Sequence, residues 1–112
     1  MAKLELISPA QLNLLNEWLD LKSALEGSSS NTLVAYKRDL IDFFSFLTSQ
    51  NESKNGVRQL ESIDQVSMRS WMAENRRSGK TSRSIARQLS SVKSFYKWFA
   101  RRRGIDPTMV LI

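Results

Sequence analysis

Cysteine and histidine are both absent from this 112-residue chain. Without cysteine there is no disulfide framework and no thiolate metal site, which fits a reducing compartment. Without histidine there is no imidazole base, no imidazole-ligated metal, and no Ser-His-Asp or Cys-His arrangement within these residues. Little catalytic chemistry remains, and no cofactor, metal or small-molecule ligand is expected. Long apolar runs are also missing: Met1 to Ile7 includes Lys3 and Glu5 and holds no stretch of signal-peptide or membrane-span length. The expectation is a cytoplasmic protein with no membrane partner.

Acidic residues are scarce in one part of the chain only. The net charge of +6 comes from 17 basic and 11 acidic residues. From Met1 to Met68 six basic residues face nine acidic ones, whereas from Arg69 to Arg103 eleven basic residues face Glu74 alone. Such asymmetry marks a surface built for a polyanion, and nucleic acid is the commonest soluble one. The length suits one domain, able to bury about two-thirds of its unfolded surface.

Only two prolines and four glycines interrupt the chain, and the apolar periodicities between them have the helical step. The first helix is expected to start with Ser8 as N-cap and Pro9 at its first position, to bury Leu12, Leu15, Trp18, Leu19 and Leu25, and to stop at Gly27. A second, from about Thr32 to Gln50, turns Leu33, Tyr36, Leu40, Phe43, Phe44 and Leu47 inward. Residues 51–62 read as a long polar loop. A third helix, capped by Asp64, buries Val66, Met68, Trp71 and Met72 and ends at Gly79. The fourth, from Thr81 or Ser82 to Arg103, has an apolar stripe of Ile85, Leu89, Val92, Tyr96 and Phe99, widened by Phe95 and Trp98. Asp106-Pro107-Thr108-Met109 reads as the start of a fifth. The fold class is therefore all-α, with four to five helices.

Opposite the apolar stripe of the fourth helix, Arg83, Arg87, Ser90, Ser94, Lys97 and Arg101 recur in steps of four and three. Long cations neutralise phosphates, and small serines between them let the backbone approach until arginine reaches base edges in a major groove. An ordinary solvated helix face is the alternative. Such a face would interleave glutamates with its lysines, and none occurs between Lys80 and Arg103. Arg101-Arg102-Arg103 has three readings: nucleic-acid contact, linker, or a helix C-terminus favoured by the dipole. Tyr36 and Tyr96 lie on apolar stripes and read as packed rings rather than nucleophiles. Trp18, Trp71 and Trp98 read as core anchors rather than base-stacking platforms. Ser29-Ser30-Asn31-Thr32-Leu33 and Thr81-Ser82-Arg83-Ser84-Ile85 both set hydroxyls before an apolar residue at a helix start, which is capping and also suits phosphate.

Two runs carry a family resemblance. Ser29-Ser30-Asn31-Thr32-Leu33-Val34-Ala35-Tyr36-Lys37-Arg38-Asp39-Leu40, followed by Ser84-Ile85-Ala86-Arg87-Gln88-Leu89-Ser90-Ser91-Val92-Lys93-Ser94-Phe95-Tyr96-Lys97-Trp98-Phe99, resembles the N-terminal core-binding domain of phage-integrase-type tyrosine recombinases, most of all the bacterial Xer type. The likeness covers roughly Leu12 to Pro107. It implies a SAM-like orthogonal bundle of four to five helices, forming half of a clamp around double-stranded DNA. Residues 1–112 would be one such domain, with 1–8 a tail and 104–112 the start of a junction into a larger catalytic domain. That other domain would carry the tyrosine nucleophile and its arginine, lysine and histidine partners, so these residues would bind DNA without cutting it. Helices two and four cross the major groove in the family, which on matching positions implies Asn31, Thr32, Lys37, Arg83, Arg87, Ser90, Ser91, Ser94 and Lys97 as DNA contacts, with Arg101 added from the helix-four face. Asp39 and Asp42 put negative charge near the helix-two set. The full-length parent would assemble with paralogous subunits into a tetramer and, if of the Xer type, resolve chromosome dimers at cell division.

Two other classes remain open. A stand-alone helix-turn-helix regulator would need a short turn ahead of a recognition helix, and the long 51–62 loop argues against it. A protein-interaction module would dock its basic helix on an acidic partner.

Overall fold

A computed structural model describes residues 7–50, 60, 61 and 63–106. The chain divides into two compact units, Met1–Gln59 and Leu60–Ile112. The first contains α1 (Pro9–Glu26) and α2 (Ser30–Gln50), the second α3 (Gln65–Arg77) and α4 (Ser82–Arg103). Among the described residues there is no strand, as an all-α class requires. The expected helix after Asp106, the first six residues of the tail and positions 51–59 of the long loop lie outside the described residues.

In the first unit, the start of α1 is fixed by a capping box. The Gln11 amide N–H donates to Ser8 Oγ at 3.1 Å and the Ser8 N–H donates to Gln11 Oε1 at 3.2 Å, satisfying two N-terminal donors reciprocally. Pro9 takes the first position, and Gly27 closes the helix in the left-handed region (φ 61). Leu15 and Trp18 are buried, but Leu25 is 75% exposed. Leu25 shares Trp18's side of the helix one heptad on, yet it sits in the final turn. The chain that follows, Gly27-Ser28-Ser29-Ser30-Asn31, supplies no apolar partner there. The second helix starts two residues earlier than its apolar pattern suggests, because Ser29 Oγ accepts from the Thr32 N–H at 3.2 Å and acts as the cap. Leu40, Phe43, Phe44 and Leu47 are buried as expected, and Leu33 and Tyr36 are half-buried. Burial then extends around most of the helix, since Ser45 and Thr48 are also inside; Ser45 Oγ donates to the Ile41 carbonyl at 2.7 Å, which satisfies it.

In the second unit, Leu60 and Ile63 are buried ahead of α3. Asp64 caps that helix by accepting from the Ser67 N–H at 2.9 Å. Met68 and Trp71 are buried, whereas Val66 is 67% exposed. Two residues before Met68, Val66 falls on the far side of a helix whose inner face is Met68, Trp71 and Asn75. After Gly79 (φ 88), Thr81 caps α4 through the Ser84 N–H at 3.2 Å, and Gly104 (φ 69) closes it. The inner face of α4 is Ile85, Gln88, Ser91, Val92, Phe95, Tyr96, Phe99 and Ala100. Relative to the expected stripe it is turned toward Gln88 and Phe95: Leu89 and Trp98 are only half-buried, and the Phe95 and Phe99 rings stack at 6.1 Å. Large rings set the packing direction, because each buries more apolar surface than a leucine and stabilises in proportion.

Candidate nucleic-acid interface

With its inner face settled, α4 has a defined outer one. At 100° per residue, Arg83, Arg87, Ser90, Ser94, Lys97 and Arg101 fall within an arc of about 80°, opposite Val92 and Phe99. Arg83, Arg87, Ser90, Lys97 and Arg101 are exposed and Ser94 is half-buried. From Arg83 to Arg101 the strip runs about 27 Å. Arg83 and Arg87, like Lys97 and Arg101, are like charges four residues apart, an arrangement that destabilises an isolated helix by about 0.2–0.5 kcal/mol per pair. Among the described residues none forms an ion pair with Arg83, Lys97 or Arg101. An anion laid along the strip relieves that repulsion.

Ser91 does not join the strip. It is 2% exposed, it lies about 80° around from Arg83, and its hydroxyl donates to the Arg87 carbonyl at 3.2 Å. Its place came from matching the family motif, not from the helical period, and period alone would have left it out.

The arginine run at the end of α4 divides. Arg103 donates through Nε and Nη2 to Glu61 Oε2, both at 3.3 Å, so it is a strut to the start of the unit. Arg102 lies over the Trp98 ring, 5.4 Å from its centroid. Arg101 alone stands on the strip. All three sit in the last turn, where cations are favoured by the helix dipole.

On α2 the expected residues are not gathered. Asn31 and Lys37 are exposed and Thr32 half-buried, but Asn31 and Lys37 lie about 120° apart, and Thr32 and Lys37 about 140°. Thr32 Oγ1 is also engaged with Ser29 Oγ at 2.9 Å. The exposed cation that does share Asn31's side is Arg38, one heptad on, a position that the heptad spacing would have found. Asp39 is fully buried and Asp42 half-buried, so Asp39 in particular places no carboxylate on that surface.

Neither tyrosine is placed for nucleophilic work. Tyr96 is 2% exposed, and burial, with the nearby Glu61 carboxylate second, holds its phenol above the ordinary value of 10.0. A nucleophile needs the opposite shift. Tyr36 packs its ring 5.6 Å from that of Trp18. Trp18 and Trp71 are each 1% exposed, as core anchors are, while Trp98 is half-buried. Among the described residues no group of three acidic, histidine or cysteine side chains is arranged to hold a metal, and no helix is long and apolar enough to cross a membrane.

Comparison with known proteins places these features in a family context. The model of the phage integrase N-terminal SAM-like domain matches residues 15–103. Similar curated proteins include the tyrosine recombinase XerC of Rickettsia typhi, 33% identical over 88 residues, covering 79% of this chain and 29% of the relative. The tyrosine recombinase XerC of Anoxybacillus flavithermus is 33% identical over 95 residues, covering 85% of this chain and 29% of the relative. The tyrosine recombinase XerD of Bradyrhizobium diazoefficiens is 33% identical over 105 residues, with 92% and 31% covered. The chain thus spans less than a third of the length of these relatives. No solved structure matches.

Proposed function

The chain belongs to the family of phage integrase N-terminal SAM-like domains, and from that premise we propose that it is the DNA-gripping half of a site-specific tyrosine recombinase. One observation carries the reading: the exposed strip of Arg83, Arg87, Lys97 and Arg101 with Ser90 and Ser94 among them, on a helix that has no acidic residue between its ends. All of α4 falls inside the matched span. The four cations neutralise phosphates and release counterions, which supplies affinity. Where the serines sit, the backbone comes close to the groove, and Arg87 beside them is the residue within reach of base edges. Asn31, Arg38 and Lys37 on α2 contribute phosphate contacts of lesser weight.

Cutting and rejoining strands falls to a catalytic domain of the parent recombinase, with its own activated tyrosine; here Tyr96 is buried and neutral and contributes packing. The parent works in the cytoplasm as a tetramer of paralogous subunits, and the curated relatives named XerC and XerD support an Xer-type role in resolving chromosome dimers. The whole chain acts as a single core-binding domain in that setting.

The test is a titration of the 112-residue chain against a fluorescent duplex of about 30 base pairs at two salt concentrations. Micromolar or weaker binding with a log-log salt slope of about −4 to −6 is expected. The same titration against an acidic polypeptide separates duplex recognition from generic polyanion or protein docking. No duplex binding at low salt would overturn the reading.

A further inference from the structure

Of the large apolar side chains that stand exposed, Leu21, Leu25, Val34 and Val66, only Val34 has two cations one turn further along its helix, Lys37 and Arg38. It is 56% exposed, in the second turn of α2. Counting 100° per residue, Val34 lies about 60° from Lys37 on one side, and about 40° from Arg38 and 60° from Asn31 on the other. Asn31, Lys37 and Arg38 are exposed as well, and among the described residues no hydrogen bond or ion pair engages their side chains. The carboxylates that follow them are withdrawn: Asp42 is half-buried one turn beyond Arg38, and Asp39 is fully buried about 140° around from Val34. From Asn31 to Arg38 the patch runs about 10 Å, which fits across a major groove roughly 12 Å wide.

We infer that Val34 is a base-reading residue, its methyls closing on the 5-methyl group of thymine in the major groove while Lys37 and Arg38 on its flanks meet phosphates on either side. The inference deepens the DNA-binding reading and rests on it. A helix lying in a groove turns the middle of its outer arc to the bases and the edges of that arc to the two backbones, and Val34 is the middle. Thymine is the base whose major-groove edge carries a methyl group, so an apolar side chain there is matched by thymine and by no other standard base. Branching at Cβ holds Val34 to one strongly preferred rotamer in a helix, and little side-chain freedom is lost when it makes the contact. The two helices then divide the work: the four cations of the α4 strip supply affinity, and α2 supplies discrimination.

The experiment compares two duplexes of about 30 base pairs, alternating dA/dT and alternating dA/dU, which carry equal charge and differ in covalent structure by the thymine methyl alone. The 112-residue chain is titrated with each at matched salt, and thermal melts confirm that every variant is folded. The unaltered chain is expected to bind the dT duplex about fourfold more tightly, the factor that burial of one methyl-sized group gives. Val34→Ala should bind both duplexes with the affinity that the unaltered chain has for the dU duplex, and with an unchanged salt slope, since no charge is lost. Val34→Ile keeps a branched apolar end and should retain the preference. Val66→Ala, which trims an exposed valine on α3, should leave it untouched. Equal affinity of the unaltered chain for the two duplexes, or a preference that survives Val34→Ala, would overturn the base-reading role while leaving the DNA reading intact. An equal loss of preference in Val66→Ala would do the same. Failure of the unaltered chain to bind any duplex would overturn both.

Discussion

The two long helices, α2 and α4, differ by one residue in length, 21 against 22, and begin alike, with a hydroxyl accepting from the amide three residues on. Their burial and charge diverge. Along α2, burial closes around the C-terminal half, where Phe43, Phe44, Ser45, Leu47 and Thr48 are all inside, and its two cations, Lys37 and Arg38, are followed by Asp39 and Asp42. Along α4, one face stays open from the first turn to the last, and seven cations meet no acidic residue on the helix. Length and capping make a rod; what decides whether it is a strut or an interaction surface is a continuous unburied face of one charge sign.

The largest effect should be indifferent to that distinction. Phe44 on α2 and Phe99 on α4 are both 0% exposed, and truncating a buried phenylalanine costs about 3–5 kcal/mol in lost transfer energy and cavity formation. Phe44→Ala and Phe99→Ala should therefore destabilise the chain by similar amounts in a denaturant titration. A Phe99→Ala loss well under 1 kcal/mol would mean that α4 is held by something other than its rings.

Binding should split the helices. Arg87→Ala with Lys97→Ala removes two charges from the strip and is expected to lower duplex affinity by roughly 10- to 30-fold and flatten the salt slope by about 2. Lys37→Ala with Arg38→Ala removes two charges from α2 and should change affinity by less than about threefold. Fluorescence anisotropy at matched salt compares them directly. Equal losses would break the contrast and put α2 on the same footing as α4.

The strip on α4 was readable from sequence because its period is regular and its residues are long and polar; the structure leaves all six positions on one side. What the pattern misplaced has local causes. Leu25 and Val66 are apolar but exposed, one at a helix end without an apolar neighbour, the other in a first turn facing away from Met68 and Trp71. Gln88 and Ser91 are polar but buried, because the direction of packing is set by Phe95 and Phe99, and which way large rings lean cannot be derived from spacing. On α2 the motif match named Thr32 and Lys37 together, although helical geometry separates them. The fates of Arg101, Arg102 and Arg103 depended on partners, Trp98 one turn earlier and Glu61 far back in the chain, and only the first of these is local enough to be found by counting.

Capping should show no contrast. Ser29 and Thr81 each accept an amide N–H at 3.2 Å, and loss of such a cap costs about 1 kcal/mol. Ser29→Ala and Thr81→Ala are expected to lower the melting temperature by comparable few-degree steps. A Thr81→Ala loss several times larger would mean that the α4 start is tied to more than its own first turn.

The smallest effect again belongs to α4. Its Tyr96 phenol is raised above 10.0 by burial and then by the Glu61 carboxylate, so the folded chain keeps a proton that the unfolded chain gives up. A raised folded value means that the contribution is complete below the unfolded pKa and is lost as pH rises from about 10 through the folded value. Stability should accordingly fall with pH in that alkaline window. Replacing the ring with one that cannot ionise, Tyr96→Phe, should shallow the fall without altering stability at pH 7 by more than the hydroxyl's own modest contribution. Denaturant midpoints collected at neutral pH and across the alkaline range decide the matter. An alkaline limb identical in wild type and Tyr96→Phe would mean that the phenol ionises as easily in the folded chain as in the unfolded one, and that the inner face of α4 is wetter around Tyr96 than its burial implies.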